Sequence, residues 1–310
     1  MNMNLENIRK TQILVCGDGM LDQYWHGDAE RLSPEAPVPV VKVARKETRL
    51  GGSANVALNI ASLRARSILL TVVGTDDDSL IFENLLRQAG VEPALVRDVE
   101  SPTIVKLRVI ARNQQMLRCD FEQPIGPSAQ EKLKSSFLRY LDDANAVILS
   151  DYHKGTLAMS ADLIKEAKNR LKPVFVDPKG SDWSRYRGAT VVTPNKAEFR
   201  QVVGQWHSES ELFRLAQEVR KEFEIDNLLL TRSEEGMSLF SDMGQKDFPT
   251  QAREVFDVSG AGDTVIAVLT TLYSSGVDLL ESVRLANAAA GIVVSKFGTV
   301  AVQFDELFGE

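Results

Sequence analysis

The amino-acid sequence predicts an α/β fold, in which helices cover both faces of a mostly parallel central sheet and a small β lid is attached. Two observations support this fold class. Short apolar runs alternate with helical segments, most regularly from residue 145 onwards. Residues 103–121 instead show the two-residue alternation of an antiparallel hairpin.

In the first half of the chain, apolar runs followed by glycine or Asp turns indicate strands, and glycine residues mark where helices begin and end. The expected strands are 13–16, 40–44 and 68–73, and the expected helices are 53–63 and 80–90.

The hairpin has one apolar side and one basic side. Val105 and Leu107 alternate with Lys106 and Arg108, and a similar alternation resumes after residue 115. Its basic side is either a solvated strand face or part of a lid whose arginines bind phosphate. We place the lid segments at about 37–48 and 102–122. An apolar strand face needs a partner, which is compatible with a homodimer formed through the lid.

The second half supplies the regular alternation of a parallel sheet. The expected strands are 146–149, 174–176, 191–192 and 228–230, and the expected helices are 160–171, 208–223, 261–275 and 278–296. No repeat, low-complexity tract or linker divides the chain, so we expect one domain over residues 1–310.

Composition narrows the classes of function. The net charge of −7 over 310 residues lacks the basic footprint of a nucleic-acid-binding protein. The two cysteines have no metal-ligand spacing, which is typical of a reduced, cytoplasmic protein. No apolar stretch approaches the length of a membrane span, so we expect no membrane partner.

The segment Gly260-Ala261-Gly262-Asp263 precedes an apolar helical stretch. Small residues at a helix start leave backbone N–H groups open to an anion, and we predict an anion hole at Gly260, Ala261 and Gly262. Asp263 follows directly, where a carboxylate can accept the proton of an attacking hydroxyl. Phosphoryl transfer requires this pairing of base and anion donors. The alternative is an ordinary capped helix with a small-residue packing face.

Asp257–Thr264 closely resembles the C-terminal signature of the ribokinase-like sugar kinases, the PfkB family. Gly51-Gly52-Ser53-Ala54-Asn55 resembles its N-terminal signature, about 200 residues earlier. The resemblance implies a ribokinase-like three-layer αβα sandwich that uses ATP and Mg²⁺. Carbohydrate kinase activity is implied, with Asp263 as the base.

Within that family, several segments resemble the heptose 7-phosphate kinases of bacterial lipopolysaccharide synthesis. They are 17–25, 31–40, Arg112-Asn113-Gln114-Gln115-Met116-Leu117-Arg118, 150–155, 177–180 and 193–198. The implied reaction is phosphorylation of the anomeric hydroxyl of D-glycero-β-D-manno-heptose 7-phosphate to the 1,7-bisphosphate, for ADP-heptose and the inner core. Because some relatives carry a second nucleotidyltransferase domain, a chain of this length is expected to be the kinase-only form.

The resemblance also implies an ATP site. Its expected residues are Asn195, Lys196, Ala197, Glu198, Thr231, Ser233, Gly236 and Asn287. Glu198 is expected to hold Mg²⁺ through water, although Asn195 and Glu198 also fit a helix-capping box. Asn287 either borders the adenine or is a buried hydrogen-bonding side chain. Arg232-Ser233 departs from the usual hydrophobic residue and glycine of this loop.

The expected substrate site combines hydroxyl-binding groups with cations, and the resemblance implies that Asp22 is the sugar-binding aspartate after the first strand. Carboxylates accept the hydrogen bonds of vicinal hydroxyls, and guanidinium groups match phosphate. Its residues are Asp18, Asp22, Gly51, Gly52, Asn55, Arg108, Arg112, Arg118, Asp151, Lys154 and Lys179. The alternatives are turn residues, N-caps and solvated cations. Other functions left open are a related kinase for a different sugar or a nucleoside, and a non-catalytic nucleotide-binding protein.

Overall fold

The computed structural model describes residues 5–112, 114–252, 254–296 and 298–309. The strands of this part of the chain are β1 Gln12–Gly17, β2 Gly19–Leu32, β3 Pro39–Gly52, β4 Arg66–Val73, β5 Val91–Arg97, β6 Val105–Ala111, β7 Gln114–Phe121, β8 Ala146–Ser150, β9 Val174–Asp177, β10 Val191–Val192, β11 Asn227–Thr231, β12 Met237–Ser241 and β13 Gly244–Phe248. Its helices are α1 Leu5–Lys10, α2 Ser53–Ser62, α3 Asp77–Gln88, α4 Pro127–Leu141, α5 Ser160–Asn169, α6 Lys196–Val203, α7 Glu209–Glu222, α8 Ala261–Ser274, α9 Leu279–Val293 and α10 Phe304–Phe308.

Nine strands form one large sheet in the order β13-β12-β11-β10-β9-β8-β1-β4-β5. The pairs from β11 across to β5 are parallel, whereas β12 and β13 are antiparallel additions at one edge. The carboxyl ends of β1, β8, β9 and β10 therefore lie side by side. In open parallel sheets this is the edge where ligands bind.

Alternate residues of the strands pack into two separate cores. Ile13 and Val15 face the core that includes α2, α8 and α9, while Leu14 and Cys16 face the core that includes α4, α5 and α7. Both faces of the sheet are thus covered by helices, which gives the predicted three-layer arrangement. Helices α1, α4 and α10 and the edge strands β5 and β13 were not predicted. None of the described helices combines the length and apolarity needed to cross a bilayer.

A second, four-stranded sheet, here called the small sheet, has the order β3-β2-β6-β7. Strand β2 pairs with β3 in antiparallel and with β6 in parallel orientation, and β6 and β7 form the predicted hairpin. Both segments assigned to a lid lie in this sheet. The residue between the hairpin strands, Asn113, lies outside the described part of the chain.

Strand β2 was missed in the sequence. Its residues alternate between apolar and polar types only in part, and the Gly17-Asp18-Gly19 turn signal at its start favoured a loop. It is nevertheless the longest central element of the small sheet, paired with β3 from Gly19 to Leu32. Its pairing explains why β3 extends to residues 39–52 instead of the predicted 40–44.

Candidate active site

The two glycine-containing segments meet at the carboxyl edge of the large sheet. Asn55 Nδ2, in the first turn of α2, donates a 2.8 Å hydrogen bond to Asp263 Oδ2 in the first turn of α8. Both side chains are buried. Gly260 has a φ of 78°, and a Cβ there would come within 2.8 Å of Asn55 Nδ2. Glycine at position 260 therefore allows this contact.

The start of α8 leaves two backbone donors open. The N–H of Ala261 donates to Val258 O at 3.3 Å, so it is already in use. For the N–H groups of Gly262 and Asp263, no acceptor is found among the described residues. A Cβ at Gly262 would meet no atom within 4 Å, because this position faces the cavity. The anion hole predicted for residues 260–262 remains a prediction. The structure differs in which backbone N–H groups are available to an anion, since these are the N–H groups of Gly262 and Asp263.

The carboxylate of Asp263 is held on both sides. Tyr152 donates its hydroxyl to Oδ1 at 2.6 Å, opposite the Asn55 contact. Burial raises the pKa of Asp263 from 3.8 to about 6, against the lowering effect of the two hydrogen bonds. This pKa suits a general base near neutral pH, since the group is mostly ionised at pH 7.

A cavity of about 760 Å³ opens in front of this carboxylate. It brings together most of the residues predicted to bind ATP or to shape the transfer site. Its lining includes Asp151, Lys179, Asn195, Lys196, Ala197, Glu198, Thr231, Ser233, Gly236, Gly260, Ala261, Gly262, Asp263 and Asn287.

The predicted nucleotide loop is shaped by its glycine. Gly236 has a φ of 94°, and a Cβ there would lie 2.0 Å from Phe248 O, so any side chain would force the backbone apart. Thr231 donates its hydroxyl to Pro194 O at 3.3 Å. Asn287 donates to Pro249 O at 2.7 Å, which uses one amide hydrogen and leaves the rest of the group at the cavity wall.

Asn195 and Glu198 form the capping box considered in the sequence. Glu198 N donates to Asn195 Oδ1 at 2.9 Å, and Asn195 N donates to Glu198 Oε2 at 3.0 Å. Lys179 Nζ adds an ion pair with Glu198 Oε1 at 2.9 Å. The capping role is therefore present, and a ligand role for Glu198 in the cavity is compatible with it.

Asp177 is a further carboxylate of this cavity, and sequence reasoning did not single it out. Burial raises its pKa well above the usual range, and the nearby carboxylates of Asp263 and Glu198 add to that effect. Asp151 adds to the same effect, so the charges of three other carboxylates that line the cavity all disfavour ionisation of Asp177.

Among the residues predicted to bind the sugar, Gly51 leaves room for the carboxylate of Asp22. A Cβ at Gly51 would lie 2.3 Å from Asp22 Oδ2, and Gly52 has a φ of 58° with its Cβ position 2.4 Å from Asp18 O. Arg108 Nη1 donates to Asp22 Oδ1 at 2.6 Å. Gly51 therefore permits the close packing of Asp22, and Gly52 permits the close approach of the Asp18 backbone.

Strand register defines the side of the small sheet that faces Asp263. Asp22 is paired with Arg49 on β3 and Lys106 on β6, so these three side chains form one row. Two residues further along, Arg108 opposes Arg118 in the next row. Lys106 Nζ lies 5.8 Å from the centre of the Tyr152 ring, and the Tyr152 hydroxyl is bonded to Asp263. The row that contains Lys106 therefore lies close to the proposed base.

The predicted lid arginines differ in their surroundings. Arg108 is mostly buried and bonded to Asp22. Arg118 is half-exposed and forms two hydrogen bonds with Asp120, at 2.8 and 2.9 Å. Arg112 is exposed in the turn between β6 and β7. Lys154 forms an ion pair with Glu122 at 2.6 Å.

The structure gives Asp18 a different role from the predicted sugar contact. It is fully buried, and its carboxylate accepts the N–H groups of Tyr152, Lys154 and Thr156 at 2.9, 3.0 and 3.0 Å. These bonds fix the loop after β8. A direct contact of Asp18 with the sugar stays a prediction.

Asp151 is likewise held by protein groups. It accepts the Tyr186 hydroxyl at 2.6 Å and the His153 N–H at 2.7 Å, and its side chain is 1% exposed. It lines the cavity, but each oxygen of its carboxylate already accepts a hydrogen bond from the protein.

Tyr152, Lys106 and Arg49 were missed in the sequence. Each is brought to the site by long-range packing or by strand register. The only local signal was the alternation of β6, which placed Lys106 on the same side as Arg108.

Comparisons with known proteins show the family of this chain. Residues 10–305 match the family described as pfkB family carbohydrate kinase. A D-beta-D-heptose 7-phosphate kinase of Bordetella bronchiseptica is 49% identical over 98% of this chain and 97% of its own. The bifunctional protein HldE of Proteus mirabilis is also 49% identical, over 99% of this chain, which spans 65% of that longer protein.

Solved structures share the fold at low sequence identity. Phosphofructokinase-2 of Escherichia coli, in its tetrameric inhibited form, has a TM-score of 0.80 and 18% identity, over 96% of this chain and 97% of its own. A ribokinase of Thermotoga maritima has a TM-score of 0.77 and 20% identity, over 96% and 98%. The ribokinase-like α/β fold expected from the sequence is confirmed.

Proposed function

Because this chain belongs to the pfkB family of carbohydrate kinases, we propose that it transfers the γ-phosphoryl group of ATP to the anomeric hydroxyl of D-glycero-β-D-manno-heptose 7-phosphate. The product is the 1,7-bisphosphate, an intermediate on the way to ADP-heptose and the inner core of lipopolysaccharide. The full-length similarity to a D-beta-D-heptose 7-phosphate kinase supports this choice of sugar.

The single observation that carries the proposal is the position of Asp263. Asp263 lines the cavity directly after Gly262, and the backbone N–H groups of residues 262 and 263 have no acceptor among the described residues. A sugar hydroxyl that donates to this carboxylate loses its proton as it attacks the γ-phosphorus. The open donors then face the charge that develops on the transferred group, which is where stabilisation is most effective.

The nucleotide would occupy the arm of the cavity lined by Asn195, Thr231, Ser233, Gly236 and Asn287. Lys179 and Lys196 supply positive charge along it. Lys179 pairs with Glu198 and Lys196 with Glu235, at 2.9 and 2.6 Å. Both ammonium groups remain within reach of phosphate oxygens, since an ion pair at a cavity wall can be exchanged for one with a ligand.

The acidic groups of the cavity fit Mg²⁺. In the described part of the chain, no cluster of three or more His, Cys, Asp or Glu side chains is arranged to hold a metal alone. Magnesium is usually held by one or two carboxylates together with waters and substrate phosphates. Glu198, acting through water, and Asp177 supply such oxygens. Bound there, the ion would neutralise charge on the triphosphate.

The phosphate of the substrate would be met by cations on the site-facing side of the small sheet. Arg108 is the best placed of the predicted arginines, because it borders Asp22 and is mostly buried. Lys106 joins it from the neighbouring row, and within the described residues its ammonium has no ion-pair partner. Arg118 and Arg112, being more exposed, would contribute through charge more than through contact.

We also propose that two copies associate through the other side of the small sheet and act in the cytoplasm. That side carries apolar cross-strand pairs, among them Val109 with Leu117 and Val105 with Phe121. Leu117 and Phe121 are 55% and 52% exposed in the single chain. A second copy is expected to cover them.

The direct test is ADP formation by the purified protein with Mg²⁺ and ATP. The panel contains heptose 7-phosphate, unphosphorylated heptose, fructose 6-phosphate, ribose and adenosine. We expect the highest kcat/KM with heptose 7-phosphate and a new anomeric phosphate by phosphorus NMR. Preference for a neutral sugar or a nucleoside would overturn the choice of substrate, and absence of turnover with every acceptor would favour a non-catalytic nucleotide-binding protein.

A further inference from the structure

We propose that Tyr152 is a positioning residue for the catalytic base, which holds the Asp263 carboxylate in one orientation and keeps it ionised. The inference rests on the proposed function, because it assigns to Tyr152 a part in the action of Asp263. Tyr152 belongs to neither of the two glycine segments that identify the family.

The geometry around Asp263 is that of a carboxylate clamped from two sides. Tyr152 Oη lies 2.6 Å from Oδ1, and Asn55 Nδ2 lies 2.8 Å from Oδ2. Two fixed donors on different oxygens determine the plane of the carboxylate. Each ionised oxygen keeps a further lone pair, so a sugar hydroxyl can still donate to the group.

The position of Tyr152 is itself fixed by the protein. The carboxylate of Asp18 accepts the backbone N–H groups of Tyr152, Lys154 and Thr156, and it is fully buried. Asp18 follows β1 and Tyr152 follows β8, which are paired strands of the large sheet. The phenol therefore reaches Asp263 from a rigid part of the molecule.

The charges around Asp263 explain why such a donor matters. Burial raises the pKa of Asp263 to about 6, Asp22 on β2 adds to the rise, and Lys106 on β6 opposes it. Asp177, at the end of β9, is a further acidic neighbour. The hydrogen bonds from Asn55 and Tyr152 both favour the ionised form.

Tyr152 is suited to remain a donor throughout turnover. Burial and the charge of Asp263 raise the pKa of its phenol well above the usual range. In the reaction the sugar hydroxyl gives its proton to Asp263, while Tyr152 keeps its own. Its contribution is orientation and ionisation of the base, with no proton relayed through the ring.

The test is Tyr152→Phe, which removes one oxygen and little volume. In the free protein, carbon NMR of the Asp263 carboxyl should show a pKa higher by about one unit, because a hydrogen bond to a charged group is worth roughly that much. The acid limb of the pH profile of kcat/KM, which is its fall at low pH, should move to higher pH by the same amount. The KM for ATP should stay near that of the wild type.

The matched control is Tyr186→Phe. Tyr186 donates to the Asp151 carboxylate at 2.6 Å and is fully buried, so its loss removes an equivalent tyrosine–carboxylate bond that does not touch Asp263. We expect lower thermal stability but an unchanged acid limb. Equal shifts in both variants, or no shift in Tyr152→Phe, would overturn the proposal.

A second substitution keeps the proposal testable if Tyr152→Phe does not fold. Incorporation of 3,5-difluorotyrosine at position 152 retains the ring and hydroxyl but makes it a stronger donor, so the pKa of Asp263 should fall. An unchanged or raised pKa would contradict the proposal. The NMR titration needs no substrate, so its outcome is separate from that of the acceptor panel, which alone decides the proposed function.

Discussion

Asn55 and Asp263 are 208 positions apart in the sequence, yet the amide of one donates a 2.8 Å hydrogen bond to the carboxylate of the other. The bond joins the first turns of α2 and α8. It links the two glycine segments into one site and orients the proposed base.

Asn55→Asp should impair the base without changing the size of the side chain. The substitution replaces a donor with a second carboxylate, and two carboxylates that share a buried site raise the pKa of one of them. We expect kcat/KM at pH 7 to fall at least about tenfold, with a larger loss at pH 6 than at pH 8. The pH dependence of ADP formation measures this.

Asn287→Asp is the matched control for that variant. Asn287 is a buried asparagine of the same cavity and donates to Pro249 O instead of to the base. It should raise the KM for ATP and leave the acid limb in place. An acid limb displaced equally in both variants would show that the Asn55 contact has no special effect on Asp263.

Gly262→Ala should separate stability from activity. A Cβ at this position meets no protein atom within 4 Å, and alanine is favoured over glycine in a helix by roughly 0.5–1 kcal/mol. The melting temperature should therefore stay the same or rise. The methyl group would project into the cavity where the transferred phosphate lies, so kcat should fall at least about tenfold.

Gly51→Ala provides the contrast, since its Cβ would lie 2.3 Å from Asp22 Oδ2. That variant should lose stability as well as activity. Wild-type kcat in Gly262→Ala would argue against an anion site at the start of α8.

Arg108→Gln should weaken binding of a phosphorylated sugar more than binding of ATP. The substitution removes a mostly buried cation that also pairs with Asp22. A charge-assisted contact is worth about 1.5–3 kcal/mol, so the KM for the phosphosugar should rise at least about tenfold. Steady-state kinetics with each substrate varied in turn measure this.

Arg118→Gln is its control, because Arg118 is 51% exposed and already paired with Asp120. A smaller effect is expected there. Equal changes in the two KM values for Arg108→Gln would count against a phosphate site on this side of the small sheet.

Asp263→Asn should stabilise the folded protein at neutral pH. The pKa of Asp263 rises from 3.8 to about 6 in the folded state, so its ionisation opposes folding by on the order of 3 kcal/mol above pH 6. Asparagine can retain both contacts, since its oxygen accepts from Asn55 and its amide can donate to the Tyr152 hydroxyl.

The difference in stability should therefore depend on pH. The variant should melt at a higher temperature than the wild type above pH 6. The difference should shrink as pH falls from 6 towards 4 and vanish only well below the unfolded-state pKa of 3.8, where Asp263 is protonated in both states. Denaturant unfolding at several pH values measures it. A gap that widens on acidification would contradict the raised pKa.

The parts of the site that lie within one short segment were predictable from the sequence. Asp263, the Gly51-Gly52 pair and the Asn195–Glu198 capping box each depend on neighbouring residues, and their local pattern is visible. Much of the large sheet was predictable because most of its strands are apolar runs of ordinary length, whereas its two edge strands, β5 and β13, were not predicted.

The parts that depend on register or on distant packing were not predictable. Lys106 and Arg49 join Asp22 only because β6 and β3 pair with β2. Strand β2 was not predicted, because its apolar and polar residues alternate only in part. Tyr152 is brought to Asp263 by the loop that Asp18 fixes. Asp18 itself was assigned to the sugar, although burial and three backbone donors give it a structural role.

The most direct test of the role of Asp263 is the turnover of Asp263→Asn with heptose 7-phosphate at pH 8, alongside its affinity for ATP. We expect kcat to fall at least about 100-fold because the base is lost, while the Kd for ATP stays near the wild-type value. Turnover close to that of the wild type would contradict the assignment of Asp263 as the base.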